Sequence, residues 1–428
     1  MTKNKHWNLL TILTVIFTVL MPFYVLLKVL FEHKLWIPGF GFLIKELLIV
    51  LIWCVIIFEF IKNKKLPKIE LLDIFIILYF IYWIGITLVQ WLSIEHIIYG
   101  WRYDFLFLAI FLLYKHWAKF LNISSKKIIQ YFLLSASASI FLWLIVKFLL
   151  WESSLMLFGF SDYASNWTFS WSIPTYHWLE WSGIKRFQGL LEWPNAMWYF
   201  LIVYSGLFLH VQKKKLQFHN VLFLILMLWL VLITYSRSAL LWIWVAWASV
   251  FLVNIKYIYY SVKKYILPIS LIFIIIFGSI AYLFQEKIYH AIIRPGSTKW
   301  HFERMEIWIN RFKDDIFWSW LATSGPAYRN VYPEKTSRLE EEYYIPESWF
   351  IQQLTEWGFI YFSLFILIFL TLLLKTYKKS SMIFWTLVAV LVMNVFLHIF
   401  ESTHLSYVFF LILWIIIYEN NTIKQKRQ

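Results

Sequence analysis

Apolar residues run through this chain in stretches of about 20, the length that crosses a hydrocarbon core of about 30 Å, with short polar connections between them. Window reading gives roughly twelve such stretches. They cover 8–30, 40–60, 71–92, 105–117, 128–150, 195–211, 221–235, 238–253, 265–284, 349–374, 382–400 and 406–418. Lipid offers no water to backbone amides, so stretches this long must close their hydrogen bonds internally, as helices. The pattern predicts an all-α polytopic membrane protein, one integral membrane domain over residues 1–428.

Composition sharpens this. The 428 residues are 61% hydrophobic and 15% charged, whereas soluble domains carry about a quarter charged residues. The lysines fall at every second connection. Lys3 and Lys5, Lys62, Lys64, Lys65 and Lys68, then Lys115, Lys119, Lys126 and Lys127 are followed by Lys213–Lys215, Lys256, Lys263, Lys264, Lys375, Lys378, Lys379, Lys424, Lys426 and Arg427. By the positive-inside rule these connections and both termini are cytoplasmic. The net charge of +15 is then a topology signal, and a nucleic-acid partner is not expected. The first stretch has a basic start but is long and lacks a small-residue cleavage site, so it reads as an anchor rather than a cleaved leader. Cys54 is the single cysteine; it excludes an intramolecular disulfide and reads as a packing residue. The 27 tryptophans fit interfacial belts, with sugar stacking by Trp167, Trp171 or Trp178 as the competing reading.

This topology leaves two substantial external loops, 151–194 and 285–348, the second between the ninth and tenth spans. Three arginine-bearing motifs fall on that side. Arg186-Phe187-Gln188-Gly189 runs into Pro194-Asn195, Thr234-Tyr235-Ser236-Arg237 follows, and Arg304-Met305-Glu306-Ile307-Trp308 comes last. Separated guanidiniums on one face suit a polyanion, because each is permanently charged and can grip phosphate oxygens in bidentate fashion. Residues 301–313 have the mixed texture of a surface-lying helix, which would put Arg304 and Trp308, at i and i+4, on one face. Plainer readings compete at each position. Arg186, beside Lys185, serves as an ordinary loop charge; Arg237 snorkels to the interface; Arg304 pairs with Glu303 or Asp315; Glu347 caps the next helix; and proline at 194 simply starts one. Arg102 and Asp104 lie at another external helix end, as lipid-phosphate or acceptor contacts or as an ion pair. Lys45, Glu46 and Glu356 are intramembrane charges, functional candidates or paired groups. His404, beside Glu401, is a fallback base. No Asp/Glu/His cluster has metal-ligand spacing, so a metal-independent chemistry without cofactors is expected.

In combination these pieces resemble the O-antigen ligase and polymerase superfamily of bacterial envelope glycosyltransferases. The residues that carry the resemblance are Arg186, Gly189, Pro194 and Asn195, then Ser236-Arg237, Arg304 with Trp308, and the Gly325-Pro326 turn, over roughly 185–358. One departure is informative. Where ligases carry a His-Asn pair about nine residues before a Glu-x-Gly, this chain has Glu347-Ser348 before Glu356-Trp357-Gly358. With Glu347 in the histidine's place, the chain is more similar to polymerases. The resemblance implies transfer of a glycan from a polyprenyl diphosphate to a glycan or lipid acceptor outside a bacterial cytoplasmic membrane. It implies Arg186, Arg304 and Glu347 as catalytic residues, with Glu347 the general base, and Arg237, Arg102, Lys185, Asn195 and Trp308 as substrate contacts. Expected partners are the lipid-linked donor, the acceptor, membrane lipids and a chain-length regulator. The alternatives are a ligase acting on a lipid or wall acceptor, and a transporter of lipid-linked sugars.

Overall fold

The computed structural model describes residues 8–63, 69–89, 91–117, 120–161, 173–179, 184–212, 218–236, 295–314 and 346–425. These residues form a mostly helical membrane protein. In chain order the helices are α1 (Leu9–Lys34), α2 (Phe40–Asn63), α3 (Leu71–Val89), α4 (Ile94–Lys115), α5 (Ser125–Leu150), α6 (Pro194–Gln212), α7 (Phe218–Leu232), α8 (Pro295–Asp314), α9 (Trp349–Tyr377), α10 (Ser381–Phe396) and α11 (Thr403–Gln425). Helices α1, α3, α4, α5 and α9 are each long and apolar enough to cross a membrane. The expected spans 238–253 and 265–284 lie outside the described residues.

Burial separates inner helices from outer ones. Residues 403–417 of α11 are buried on every side, as are 196–207 of α6; a helix that is apolar all round and covered all round is the core of a bundle. The outer helices show the reverse of a soluble pattern. In α3, Ile74, Ile77, Leu78, Ile81 and Leu88 are exposed at helical spacing, while Asp73, Tyr79 and Thr87 face inward. An exposed apolar stripe, over an inner face that mixes these polar groups with Leu72, Ile76, Trp83 and Ile86, is the arrangement lipid requires. Helix α1 bends at Pro22, where a 3₁₀ turn spans Met21–Phe23. Ser135 and Ser139 of α5 donate hydrogen bonds to the carbonyls of Val19 and Pro22 there, at 2.6 and 3.1 Å, meeting backbone acceptors that the kink loosens.

The mostly helical architecture agrees with an all-α membrane protein, with one small addition in the 151–194 loop: Glu152–Phe158 forms a 3₁₀ turn, and β1 (His177–Leu179) pairs antiparallel with β2 (Ile184–Arg186). Its alternation of apolar and polar residues is too short to stand out beside the long helices. The fourth span starts at Ile94 rather than 105, because Trp101–Phe105 continues the helix as a π turn. Arg102 and Asp104 therefore lie inside α4, not at a helix end. Cys54 is exposed on α2 rather than packed in the core.

Helix ends gather into two sets. At one, Lys115 pairs with Asp73 and, at 3.5 Å, with Glu70, and Lys375 pairs with the same Glu70. Asn8 reaches the Phe120 carbonyl, and His210 meets Ser380 at 2.8 Å. At the other lie the Arg102–Glu46 and Lys28–Glu192 pairs, the β-hairpin and the start of α9. Trp36, Trp91 and Trp151 stand almost wholly exposed at this second end, each with positive φ.

Candidate functional site

The hairpin is two-faced because strand side chains alternate. His177 pairs in register with Arg186, and Trp178 with Lys185. The His177/Arg186 face turns to the bundle. His177 meets the Gln188 carboxamide at 2.5 Å, and Gln188 donates in turn to the Pro174 carbonyl at 2.7 Å. Burial and the neighbouring Arg186 charge push the His177 imidazole down to about 4, against the pull of its bond to Gln188. It is neutral at pH 7.

Arg186 is oriented by neutral acceptors. Its Nε donates to the Thr234 carbonyl at 3.0 Å and its Nη2 to Asn195 Oδ1 at 3.3 Å. Gly189 makes the turn between them with φ +65, a conformation that costs glycine little, and Pro194 opens α6 so that Asn195 sits in its first turn. Phe187 N–H donates to the Ile233 carbonyl at 2.9 Å, and the Trp198 indole donates to Ser236 Oγ at 2.6 Å. The Arg-Gly-Pro-Asn and Thr-Tyr-Ser motifs, about 40 residues apart in sequence, thus form one structure. Arg186 is not an ordinary loop charge. Arg237 itself lies outside the described residues, as does the Gly325-Pro326 turn.

The third motif rides on α8, which packs against α9. His301, Arg304 and Trp308 recur at i, i+3 and i+7, so they share one face; Arg304 and Trp308 are buried while Lys299 and Glu303 pair with each other on the exposed side at 3.6 Å. Arg304 is buried rather than solvated, and Asp315, one of its expected partners, lies outside the described residues. Its guanidinium lies over the Trp300 ring at 4.6 Å, and that of Arg311 lies over Trp308 at 4.6 Å, cation–π geometry in both cases.

His301 also reaches Glu347, with Nδ1 2.8 Å from Oε2. The two groups are in ion-pair range without forming a hydrogen bond. Glu347 is buried, with φ +57. A left-handed backbone at a non-glycine residue costs roughly 1–3 kcal/mol and gathers at functional sites. Capping does not explain it, because the α9 cap is the neighbouring Ser348, whose hydroxyl accepts from Ile351 N–H at 3.3 Å. Ser348 also donates to the Asn394 carbonyl at 3.5 Å, and Trp349 N–H to the Leu397 carbonyl at 3.3 Å. These bonds tie the two residues that follow Glu347 to the C-terminal end of α10. Ten residues into α9 the helix breaks at Gly358, with φ +76, just after the buried Glu356.

His301 was missed in the sequence because it lies 46 residues upstream of Glu347. Its one local signal is the three-residue spacing to Arg304. The fold brings His301 to Glu347 from another helix.

Other expected contacts separate from these groups. Lys185 turns to the opposite hairpin face, 4.0 Å over Tyr176 and 5.9 Å from the Trp178 ring. Arg102 pairs with Glu46 at 3.1 Å rather than with Asp104, which accepts from Gln353 Nε2 at 2.7 Å. Lys45 donates to Thr403 and lies 3.5 Å from Glu46. His404 is buried against the Tyr24 ring at 5.0 Å. The structure so assembles Arg186 with Asn195, and Arg304 with Trp308, His301 and Glu347, and places Arg102 in a separate polar cluster. No family model, no curated protein and no solved structure matches the chain.

Proposed function

We propose that this protein is a glycosyltransferase that polymerises polyprenyl-diphosphate-linked oligosaccharide units on the external side of a bacterial cytoplasmic membrane. The observation that carries this reading is the His301–Glu347 contact on the same helix face as Arg304: an acid–base couple one helical turn from a guanidinium. In the reaction an acceptor hydroxyl oxygen attacks the anomeric carbon, the bond from that carbon to the diphosphate oxygen breaks, and the lipid diphosphate leaves with the electron pair. The hydroxyl proton passes to the Glu347–His301 couple, a general-base role worth about 10²–10⁴ in rate. Arg304 and Arg186 take up the charge that develops on the diphosphate, aided by Asn195, which holds Arg186 in place. Trp308 fixes the face on which Arg304 is presented. Arg237 is taken as a further diphosphate contact.

The test is incubation of purified protein with a polyprenyl-diphosphate-linked oligosaccharide, with products resolved by size. A ladder establishes polymerisation. A single addition to a distinct acceptor makes the protein a ligase instead. Donor binding without turnover favours a carrier of lipid-linked sugars, a second reading supported by the break at Gly358 beside buried Glu356, since carriers use interrupted helices around buried charges.

A further inference from the structure

A second polar cluster lies below the same end of the bundle, apart from the groups used above. Five segments converge on it: Lys28 from α1, Lys45 and Glu46 from α2, Arg102 from α4, Glu192 from the turn before α6, and His404 from α11. Lys45 lies over the rings of Tyr24 and Tyr407, at 4.7 and 5.4 Å, and donates to Thr403. Tyr407 donates to the Arg102 carbonyl at 2.8 Å.

Burial is graded across the cluster. The Lys28 and Glu192 side chains are 31% and 21% exposed and 3.8 Å apart, a loose pair at the rim. Glu46 and Arg102 follow at 15% each, and Lys45 is 1% exposed at the floor. His404, also at the floor and 1% exposed, has an Nε2 that makes no hydrogen bond. Leaving a buried polar atom unsatisfied costs about 1–3 kcal/mol, so a fold that retains one at the base of a charged cluster points to a ligand. Glu192 is in electrostatic contact with Lys28, His404, Lys45 and Arg102.

The chemistry of the cluster narrows the ligand. Three cations stand against two carboxylates, an excess of one positive charge, which is less than a diphosphate would call on and of the wrong sign for a metal ion. Among the described residues no three His, Cys, Asp or Glu side chains converge as metal ligands. Alternating donors and acceptors, with aromatic rings in the wall, match the hydroxyls and apolar faces of a sugar. Position adds the connection to function, because Glu192 is six residues from Arg186 and two from Pro194 in the turn that holds Arg186.

We propose that Lys28, Glu46, Arg102, Glu192 and His404 form a sugar subsite that receives the acceptor end of the glycan, an assignment that rests on the glycosyl-transfer reading above. His404 Nε2 bonds a sugar hydroxyl at the floor, and the Lys28–Glu192 pair parts at the rim to admit it.

The experiment measures binding and transfer with two probes, polyprenyl diphosphate and oligosaccharides released by mild acid from the host's surface polysaccharide. They are applied to the purified full chain and to its His404→Ala and Glu192→Gln variants. Glu192 sits at the rim, so Glu192→Gln leaves the bundle intact even where the buried His404→Ala does not. The subsite predicts at least a tenfold loss of oligosaccharide affinity in each folded variant with polyprenyl diphosphate binding unchanged. Equal oligosaccharide binding by wild type and Glu192→Gln overturns it and makes the cluster a structural ion network. A wild-type protein that elongates lipid-linked glycan yet is indifferent to both substitutions sinks the subsite alone, whereas one that binds neither probe sinks the glycosyl-transfer reading with it.

Discussion

The two ends of the helix bundle hold their cations differently. At one, lysines meet carboxylates: Lys115 with Asp73 and Glu70, Lys375 with Glu70. At the other, Arg186 is oriented by a carbonyl and a carboxamide and Arg304 by an indole face. Pairing with a carboxylate cancels a charge locally; orientation by a neutral dipole or ring fixes the cation's direction and keeps its field. The lysine end therefore reads as a clasp that holds α3, α4 and α9 together, and the arginine end, under the proposed function, as the surface that meets the diphosphate. The Arg102–Glu46–Lys45 group shows that the arginine end also contains balanced charge, deeper in the bundle.

The contrast breaks first at Glu347. Glu347→Gln is expected to lower transfer by about 10²–10⁴ while donor binding persists, read as rate against donor affinity; His301→Asn should give a similar loss, and the double substitution should cost little more than either. Loss of donor binding together with activity would make the turn structural. Next comes the clasp. Lys115→Met strands the buried Asp73 and should destabilise the fold by about 3–5 kcal/mol, seen as a lowered midpoint of thermal unfolding, with turnover per folded molecule unchanged. A selective loss of turnover would show that the lysine end is more than a clasp.

Arg304→Lys and Arg186→Lys should each slow transfer by about 10²–10³ and leave membrane insertion intact, because an ammonium keeps the charge but not the planar fork. Near-normal rates in both variants would dissolve the distinction between the two ends.

The smallest effect is on pH. With its folded value held at about 4 against about 6.5 unfolded, His177 binds fewer protons when the hairpin is docked, so docking is strongest above the unfolded value and weakens as pH falls toward 4. Amide protection factors in 177–179 and 184–188, taken relative to intrinsic exchange at each pH, should fall between pH 7 and 4.5, and a flat profile would remove His177 from the hairpin's support. Glu70 acts in the same direction at the other end. Burial raises its carboxyl, but the bonds and charges of Lys375 and Lys115 outweigh that and hold it low, so the clasp loosens only in stronger acid.

Much of this architecture follows from one-dimensional pattern. Apolar stretches of membrane-crossing length required helices because lipid leaves the backbone no other partner, and α1, α3, α5 and α9 appear close to where the stretches lie. Alternating lysines sorted the connections, and the helix ends carrying Lys115, Lys375 and Glu70 do meet in space. The arginine motifs were legible because each is local, and so was the shared face of Arg304 and Trp308, which helical spacing alone dictates.

Tertiary structure decided what depends on distance along the chain. Arg186 reaches Thr234 across 48 residues, His301 reaches Glu347 across 46, and Arg102 prefers Glu46 to the nearby Asp104 because helix packing places them on facing sides. Lys185 and Arg186, adjacent in sequence, part to opposite faces once a strand forms. Periodicity reports which side of an element a residue occupies, but which other element lies against that side is a property of the packed bundle. The sequence by itself determined helices and the supply of cations; only the fold decided which side chains and carbonyls each cation meets.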